Sequence, residues 1–258
     1  MPGKPNMSSG TDKVFDKVTD PNDFTFNKEV VSVFDDMVSR SVPYYDEMQR
    51  MTAELAQDFA QDETNVYDIG CSTGTTLQLL DGAIENRNVT LIGLDNSEDM
   101  LAKAEQKLSA AGLKHPYDLK LGDAQKGMGL RNASVVTMLL TLQFIRPLYR
   151  ERLVREIHEG MVENGCLILI EKLTSEDTLF NRLFIKHYYD YKRRRGYSNT
   201  EISMKREALE NVLIPYRLEE NFDLLKGAGF RHVEMFFRWY NFCGIVAVKS
   251  TEAEGRGA

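Results

Sequence analysis

Apolar residues along this chain fall into short blocks, separated by stretches with helical spacing. Val66 to Ile69, Val89 to Leu94, Asp118 to Leu121, Ala133 to Leu140 and Cys166 to Ile170 read as strands. The fourth is mostly apolar, as a central strand of a parallel sheet must be. A helix opens at Thr75-Thr76-Leu77. Another is capped by Asn96-Ser97-Glu98-Asp99, runs through Met100, Leu101, Ala104 and Leu108, and stops at Gly112. A third runs from Leu148 to Met161, and Asn164-Gly165 marks the turn after it. Strands alternating with helices predict a parallel sheet wound on both faces. Two helices precede the first strand. One is capped by Asn27 and runs through Val38; the other has Pro43 in its first turn and carries Met48, Met51, Leu55, Ala56 and Phe59 inward. They are placed to lie over the turn that follows the first strand, with Tyr44 or Tyr45 facing it. From Thr174 to about Glu220 the strand rhythm gives way to a helical segment rich in Tyr, Phe, Lys and Arg. An insertion of that size covers an active site or makes an oligomer contact. Within it, Lys192 to Arg195 reads as a solvated helix face, with attraction of an anionic substrate or RNA as the alternative. A helix from Asn221 to Ala228 stops at Gly229, and Val233 to Tyr240 then pairs with Cys243 to Lys249 as an antiparallel strand pair.

The strand ends carry the candidate chemistry, since ligands of a doubly wound sheet sit at the carboxyl ends of its strands. The first strand runs into Asp68-Ile69-Gly70-Cys71-Ser72-Thr73-Gly74, the second into Asp95-Asn96, the third into Gly122-Asp123-Ala124. Glycines let backbone approach a ligand, and an acid after the second strand can accept hydrogen bonds from a ribose diol. Asp123 is placed to accept the exocyclic amine of an adenine; it is also the ordinary acid of a turn after glycine. The turn reads D-x-G-C-S-x-G, not the G-x-G-x-x-G of a dinucleotide site. It resembles motif I of the S-adenosylmethionine (SAM)-dependent methyltransferase-like enzymes.

Charge narrows the partners. The formal net charge is −7, which argues against nucleic acid or an anionic membrane as the main partner. The three cysteines, Cys71, Cys166 and Cys243, lie far apart, with neither metal-ligand spacing nor a disulfide framework, and a reducing cytoplasm is the simplest reading. Met1 to Gly10 lacks the apolar core of a signal peptide. There is no H-E-x-x-H, no clustered Cys/His set and no nucleophilic triad that the sequence argues for. A reactive sulfonium needs mainly positioning and electrostatics, so SAM chemistry is compatible with that silence.

A more specific resemblance runs from about Phe24 to Lys249. Thr25-Phe26-Asn27, Val33 to Met37, Arg40-Ser41-Val42-Pro43, Tyr67 to Ser72, Asp95-Asn96-Ser97, Asn132-Ala133-Ser134, Thr141-Leu142-Gln143-Phe144, Glu171-Lys172, Gly196-Tyr197-Ser198, Glu201-Ile202-Ser203, Lys205-Arg206, Leu209 to Val212 and Asn241-Phe242 resemble, in order, the carboxy-S-adenosyl-L-methionine synthase family. The resemblance implies an α/β chain with a Rossmann-like methyltransferase fold. Its sheet is seven-stranded and mostly parallel with an antiparallel last strand, and it carries N-terminal helices and a helical insertion after strand 5. It implies one SAM-binding domain over 23–250, between a flexible leader at 1–22 and a flexible tail at 251–258.

It also implies a reaction. SAM and prephenate give carboxy-SAM and phenylpyruvate, carboxy-SAM stays as bound product, and a separate tRNA carboxymethyltransferase uses it on the wobble uridine. The SAM methyl loses a proton, and the resulting ylide captures the carbon dioxide released as prephenate aromatises. Prephenate and the new carboxylate are anions, so the site should hold a cation. A cytoplasmic homodimer without metal, direct nucleic-acid contact or membrane is the implied setting. By resemblance, Tyr45 contacts SAM, Gly70, Cys71 and Ser72 lie under its methionine part, Asp95 and Asn96 hold the ribose, and Asp123 and Ala124 the adenine. Arg206 holds the added carboxylate and is the residue assigned to catalysis; its planar fork suits bidentate carboxylate recognition. Leu139 stands where relatives commonly have a ligand-contacting asparagine, and leucine cannot replace the amide's hydrogen bonds. A conventional SAM-dependent methyltransferase and a non-catalytic SAM-binding protein are the alternatives.

Overall fold

A computed structural model of the protein describes residues 28–250. The cap expected at Asn27, the leader over 1–22 and the tail over 251–258 lie outside the described residues. Seven strands form one sheet: β1 (Thr64–Ile69), β2 (Val89–Asp95), β3 (Tyr117–Leu121), β4 (Ala133–Leu139), β5 (Met161–Lys172), β6 (His232–Trp239) and β7 (Phe242–Val248). Their spatial order is β3-β2-β1-β4-β5-β7-β6. The first five are parallel, and β7 runs antiparallel to both β5 and β6. The sheet therefore grows outward from β1 in both directions, to β2 on one side and β4 on the other. That reversal opens a crevice at the carboxyl ends of β1 and β4.

Eight helices are described: α1 (Lys28–Ser41), α2 (Tyr45–Phe59), α3 (Thr75–Ala83), α4 (Glu98–Ala111), α5 (Pro147–Gly160), α6 (Thr178–Arg194), α7 (Asn199–Ala208) and α8 (Leu218–Gly227). None is long and apolar enough to cross a membrane. The period-two pattern of the strands sorts the helices onto two faces. Val66, Leu91, Val135 and Ile168 pack under α2, α3 and α4 through Ala56, Leu77, Leu80 and Leu108. Their neighbours Tyr67, Ile92, Val136 and Leu167 face α5 and α8 through Leu153, Val154, Ile157 and Leu225. Each such fully buried aliphatic side chain contributes about 1.5–3 kcal/mol. A third cluster, with Met37, Val38, Met48, Ile170, Tyr188, Ala208 and Phe242, joins α1, α2, α6 and α7 above the strand ends. It is the roof of the crevice.

Three local expectations are corrected. Pro43 lies in the turn before α2, not in its first turn. The reversal between α1 and α2 runs through Tyr44, whose left-handed backbone (φ 54°) occupies the N-cap position. Asn164-Gly165 does not end an element: it forms an irregularity inside β5, which already begins at Met161. The kink stays in the strand because Asn164 N donates to Lys249 O and Lys249 N donates to Gly165 O, both at 2.9 Å. A Cβ at residue 165 would come within 2.9 Å of Ser134 O, so the close backbone approach requires glycine. The last helix begins at Leu218, earlier than Asn221, because Glu220 reaches back to Arg217 N at 2.8 Å and closes its first turn.

The insertion leaves and rejoins the sheet at one place. Leu173 bridges to Tyr216, and Ile214 N donates to Gln143 O at 2.9 Å. Buried Arg150 fastens the return. Its guanidinium donates to Ile145 O at 2.8 Å and Ile214 O at 2.6 Å, and lies 4.1 Å from the Tyr216 ring centroid.

Candidate active site

The crevice is a cleft of about 610 Å³ lined by all ten residues singled out in the sequence: Tyr45, Gly70, Cys71, Ser72, Asp95, Asn96, Asp123, Ala124, Leu139 and Arg206. Backbone geometry shapes its floor. Gly70, Ser72 and Gly74 all have positive φ, at 74°, 49° and 78°. At Gly70 an added Cβ would run into the Thr141 side chain as well. Gly70 N and Cys71 N donate to Leu94 O at 2.7 and 3.0 Å, which fastens the turn to β2.

Asp95 completes the floor. Its Oδ2 accepts from Ser72 N and its Oδ1 from Ser97 N, each at 2.9 Å. Ser97 in turn caps α4. The backbone NH of Asn96 also bonds to this carboxylate, so three main-chain donors surround it. Burial raises the pKa of this carboxyl, and the backbone donors oppose the rise. Asp123 stands at the turn after β3. It lines the cleft, and its Oδ1 also accepts from Gln125 N at 2.9 Å within its own turn. The Cys71 thiol is buried and held far above the ordinary thiol range, so Cys71 is not an ionised nucleophile.

Asp68 lies behind this floor. Thr137 Oγ1 donates to its Oδ1 at 2.7 Å, while its buried Oδ2 has no hydrogen-bond partner among the described residues. Burial pushes the Asp68 carboxyl up to about 7, the Thr137 bond opposes the rise and the charge of Asp95 adds to it. A raised carboxyl contributes stability that is complete below its unfolded pKa and is lost as pH rises to about 7. Asp68→Asn keeps an acceptor for Thr137 and removes the ionisation. Urea unfolding at pH 4.5 and pH 8 should show the wild type losing more stability than the variant, by on the order of 3 kcal/mol. Parallel curves would show that Asp68 ionises freely in the folded protein.

Side-chain bonds tie the roof to the floor. Gln49 Nε2 donates to the Tyr45 hydroxyl at 2.8 Å and to Thr76 Oγ1 at 3.0 Å. Burial holds the Tyr45 phenol above its ordinary pKa, which keeps it a neutral hydroxyl at the cleft wall. Tyr44 instead is exposed. Asp35 of α1 accepts from Thr73 Oγ1 at 2.6 Å and from Lys107 Nζ at 2.7 Å.

The end of β4 forms the wall between floor and insertion. Leu140 has φ 57°, a strained value for a leucine. Leu140 N donates to Ile170 O at 2.6 Å, and Gln143 Nε2 donates to Leu140 O at 3.2 Å. Glu171 Oε1 accepts from Leu142 N at 3.0 Å, and burial pushes the Glu171 carboxyl up to about 8 against the pull of Arg150. Leu139 packs against the roof cluster, and its carbonyl accepts from Thr141 Oγ1 at 3.1 Å. Leu139 is thus part of an apolar wall.

The end of β5 and the insertion together supply a cationic end, of which the sequence reading singled out only Arg206. Lys172, Lys192, Lys205 and Arg206 line the same cleft. Lys192 overturns the reading of Lys192 to Arg195 as one solvated face: it is only 6% exposed, whereas Arg193, Arg194 and Arg195 are exposed. Helical phase explains the split, because Lys192 lies four residues after Tyr188, on the face that meets the roof. That spacing was the available signal, and the basic run concealed it. Arg206 sits at the mouth with its side chain 61% exposed and Glu207 at 3.7 Å. Lys186 is exposed and His187 stacks on Tyr240 at 4.7 Å, so of Lys186, His187 and Tyr188 only Tyr188 lines the cleft.

A nucleoside-sized cleft at the switch point of a seven-stranded sheet with one antiparallel strand defines the methyltransferase-fold class. A family model described as "Methyltransferase domain" matches residues 66–165. An O-methyltransferase family protein from Burkholderia thailandensis shares the fold with a TM-score of 0.64 at 16% identity, over 88% of this chain and 61% of that one. Closer in sequence is a carboxy-S-adenosyl-L-methionine synthase of Methylococcus capsulatus, 57% identical over 88% of this chain and 94% of its own length. A protein of the same name from Nautilia profundicola is 42% identical over 92% of this chain and 99% of its own. The chain belongs to the carboxy-S-adenosyl-L-methionine synthase family.

Proposed function

We propose that this protein converts SAM and prephenate to carboxy-SAM and phenylpyruvate. The observation that carries the reading is one cleft that brings the strand-end carboxylates Asp95 and Asp123 together with the amines of Lys172, Lys192 and Lys205. Asp95, a carboxylate on the cleft floor at the end of β2, suits a ribose, and Asp123 and Ala124 suit an adenine. Gly70, Cys71 and Ser72 pass under the methionine part, and the Tyr45 hydroxyl bounds it. Arg206, swinging in from the mouth, holds the carboxylate being added. In the reaction the bond from the prephenate ring to its carboxylate breaks, and the ring hydroxyl leaves with its bonding pair as the ring becomes aromatic. The SAM methyl gives up a proton, which joins that hydroxide as water. The methyl carbon then bonds to the released carbon dioxide. The enzyme's part is to hold the two reactants in contact and to exclude water.

Product carboxy-SAM stays bound until a separate tRNA carboxymethyltransferase takes it for the wobble uridine to give 5-oxyacetyl uridine. The working unit is a cytoplasmic homodimer of one-domain chains, and the exposed apolar side chains Leu179, Phe180 and Leu183 of α6 support an interface there. Mass spectrometry after incubation with SAM and prephenate tests the reaction: SAM should gain the mass of one carbon dioxide. The second reading, a conventional methyltransferase, is favoured by the apolar Leu139 wall. It predicts S-adenosylhomocysteine release that ignores prephenate, and that result would displace the first reading.

A further inference from the structure

Three separate elements bring amines to the far end of the cleft. Lys172 comes from the end of β5, Lys192 from the last turn of α6 and Lys205 from the last turn of α7. Both of the first two approach the ring of Tyr188, with Lys172 Nζ at 5.3 Å and Lys192 Nζ at 4.5 Å from its centroid. The carboxylates lining the cleft are Asp95, Asp123 and Glu210, and none of them forms an ion pair with Lys172 or Lys192 among the described residues. Burial holds the Lys172 and Lys192 amines below the ordinary lysine range, and the charges of Lys205 and Lys172 lower Lys192 further. Two neighbouring amines that face a cavity, Lys192 buried and Lys172 half-buried, are costly to charge in the empty protein. An anion placed between them removes that cost, and a planar carboxylate with two oxygens can accept from both at once.

We infer that Lys172 and Lys192, with the ring of Tyr188 beside them, form the subsite that holds the carboxylate which the dianionic cosubstrate keeps. The assignment rests on the proposed reaction and deepens it. Prephenate carries two carboxylates. One is lost as carbon dioxide and ends on SAM, near Arg206; the other remains on the pyruvyl side chain of the product. The lysine pair anchors that second carboxylate, and the neighbouring Tyr188 ring gives the aromatising cosubstrate an apolar surface. Binding energy far from the reacting carbon is thereby used to hold the departing carbon dioxide close to the SAM methyl.

The test uses Lys172→Met, Lys192→Met and the double variant, with Lys192→Arg as the charge-preserving control. Three measurements are made on each: SAM affinity by calorimetry, thermal unfolding, and steady-state carboxy-SAM formation with prephenate varied at saturating SAM. The expected result is a prephenate KM at least tenfold higher in each Met variant. SAM affinity should stay within twofold, the unfolding temperature should be unchanged or higher, and Lys192→Arg should recover part of the loss. A merely structural lysine would lower the unfolding temperature and weaken SAM and prephenate alike. A KM shift below tenfold in the double variant, or an equal loss for both reactants, overturns the assignment while leaving the reaction in place. A wild type that makes no carboxy-SAM overturns the reaction itself. Titrating prephenate into wild-type and double-variant protein saturated with S-adenosylhomocysteine then decides the subsite separately: binding weakened at least tenfold in the variant upholds it, and equal binding or none rejects it.

Discussion

Arg206→Leu is expected to lower kcat/KM for carboxy-SAM formation by about 10²-fold, on the order of 3 kcal/mol, and to leave SAM affinity within twofold. The guanidinium stands at the cleft mouth with no partner closer than Glu207 at 3.7 Å among its ion pairs, and its side chain is 61% exposed. Little holds it there, so it is free to turn inward when a carboxylate arrives. Leucine has similar bulk near the backbone and no donor. Arg206→Lys should recover only part of the rate, because an ammonium cannot present two parallel donors to one carboxylate. Single-turnover mass spectrometry with saturating SAM and prephenate is the direct check. Full activity in Arg206→Leu would remove Arg206 from the site.

The second large effect is expected at Asp95. Asp95→Asn should weaken SAM binding by about 10²-fold, on the order of 3 kcal/mol, measured by calorimetry. The carboxylate meets backbone donors with both oxygens, Ser72 N on one and Ser97 N on the other, each at 2.9 Å. An asparagine has one acceptor oxygen and must turn an NH2 toward one of these donors. If the amide faces Ser72, the glycine turn loosens; if it faces Ser97, the start of α4 does. In either orientation the ribose loses an acceptor. Circular dichroism should show the fold retained. SAM affinity within twofold of wild type would mean that the ribose sits elsewhere in the cleft.

These two residues were legible from the sequence for different reasons. Asp95 ends an apolar strand that follows a glycine turn, and strand, turn and acid are neighbours in sequence. Gly70, Asp123 and Ala124 share that local logic. Arg206 had no local signal; it emerged from resemblance, and the fold places it on the same cleft, although at its mouth. Lys192 was misread because a run of four basic residues carries no indication of which one points inward. The turn at Asn164-Gly165 was misread because its backbone groups are satisfied by Lys249, a residue the local pattern does not contain. Pro43 was placed one element too far along because the left-handed reversal at Tyr44 is unusual for a tyrosine.

The sequence by itself determined the alternation of strands and helices, the acids and glycines at the strand ends, and through resemblance the family. Those features depend on residues a few positions apart, where side-chain period and turn chemistry act directly. The cationic end of the cleft was decided only by the tertiary structure. Tyr188 packs on Phe242 of β7 at 5.2 Å between ring centroids, which fixes the rotation of α6 about its axis. That rotation carries Lys192 into the cleft beside Lys172 and leaves Arg193 in solvent. A helix has several faces of comparable polarity here, and only its packing against a distant strand selects the one that meets the cleft.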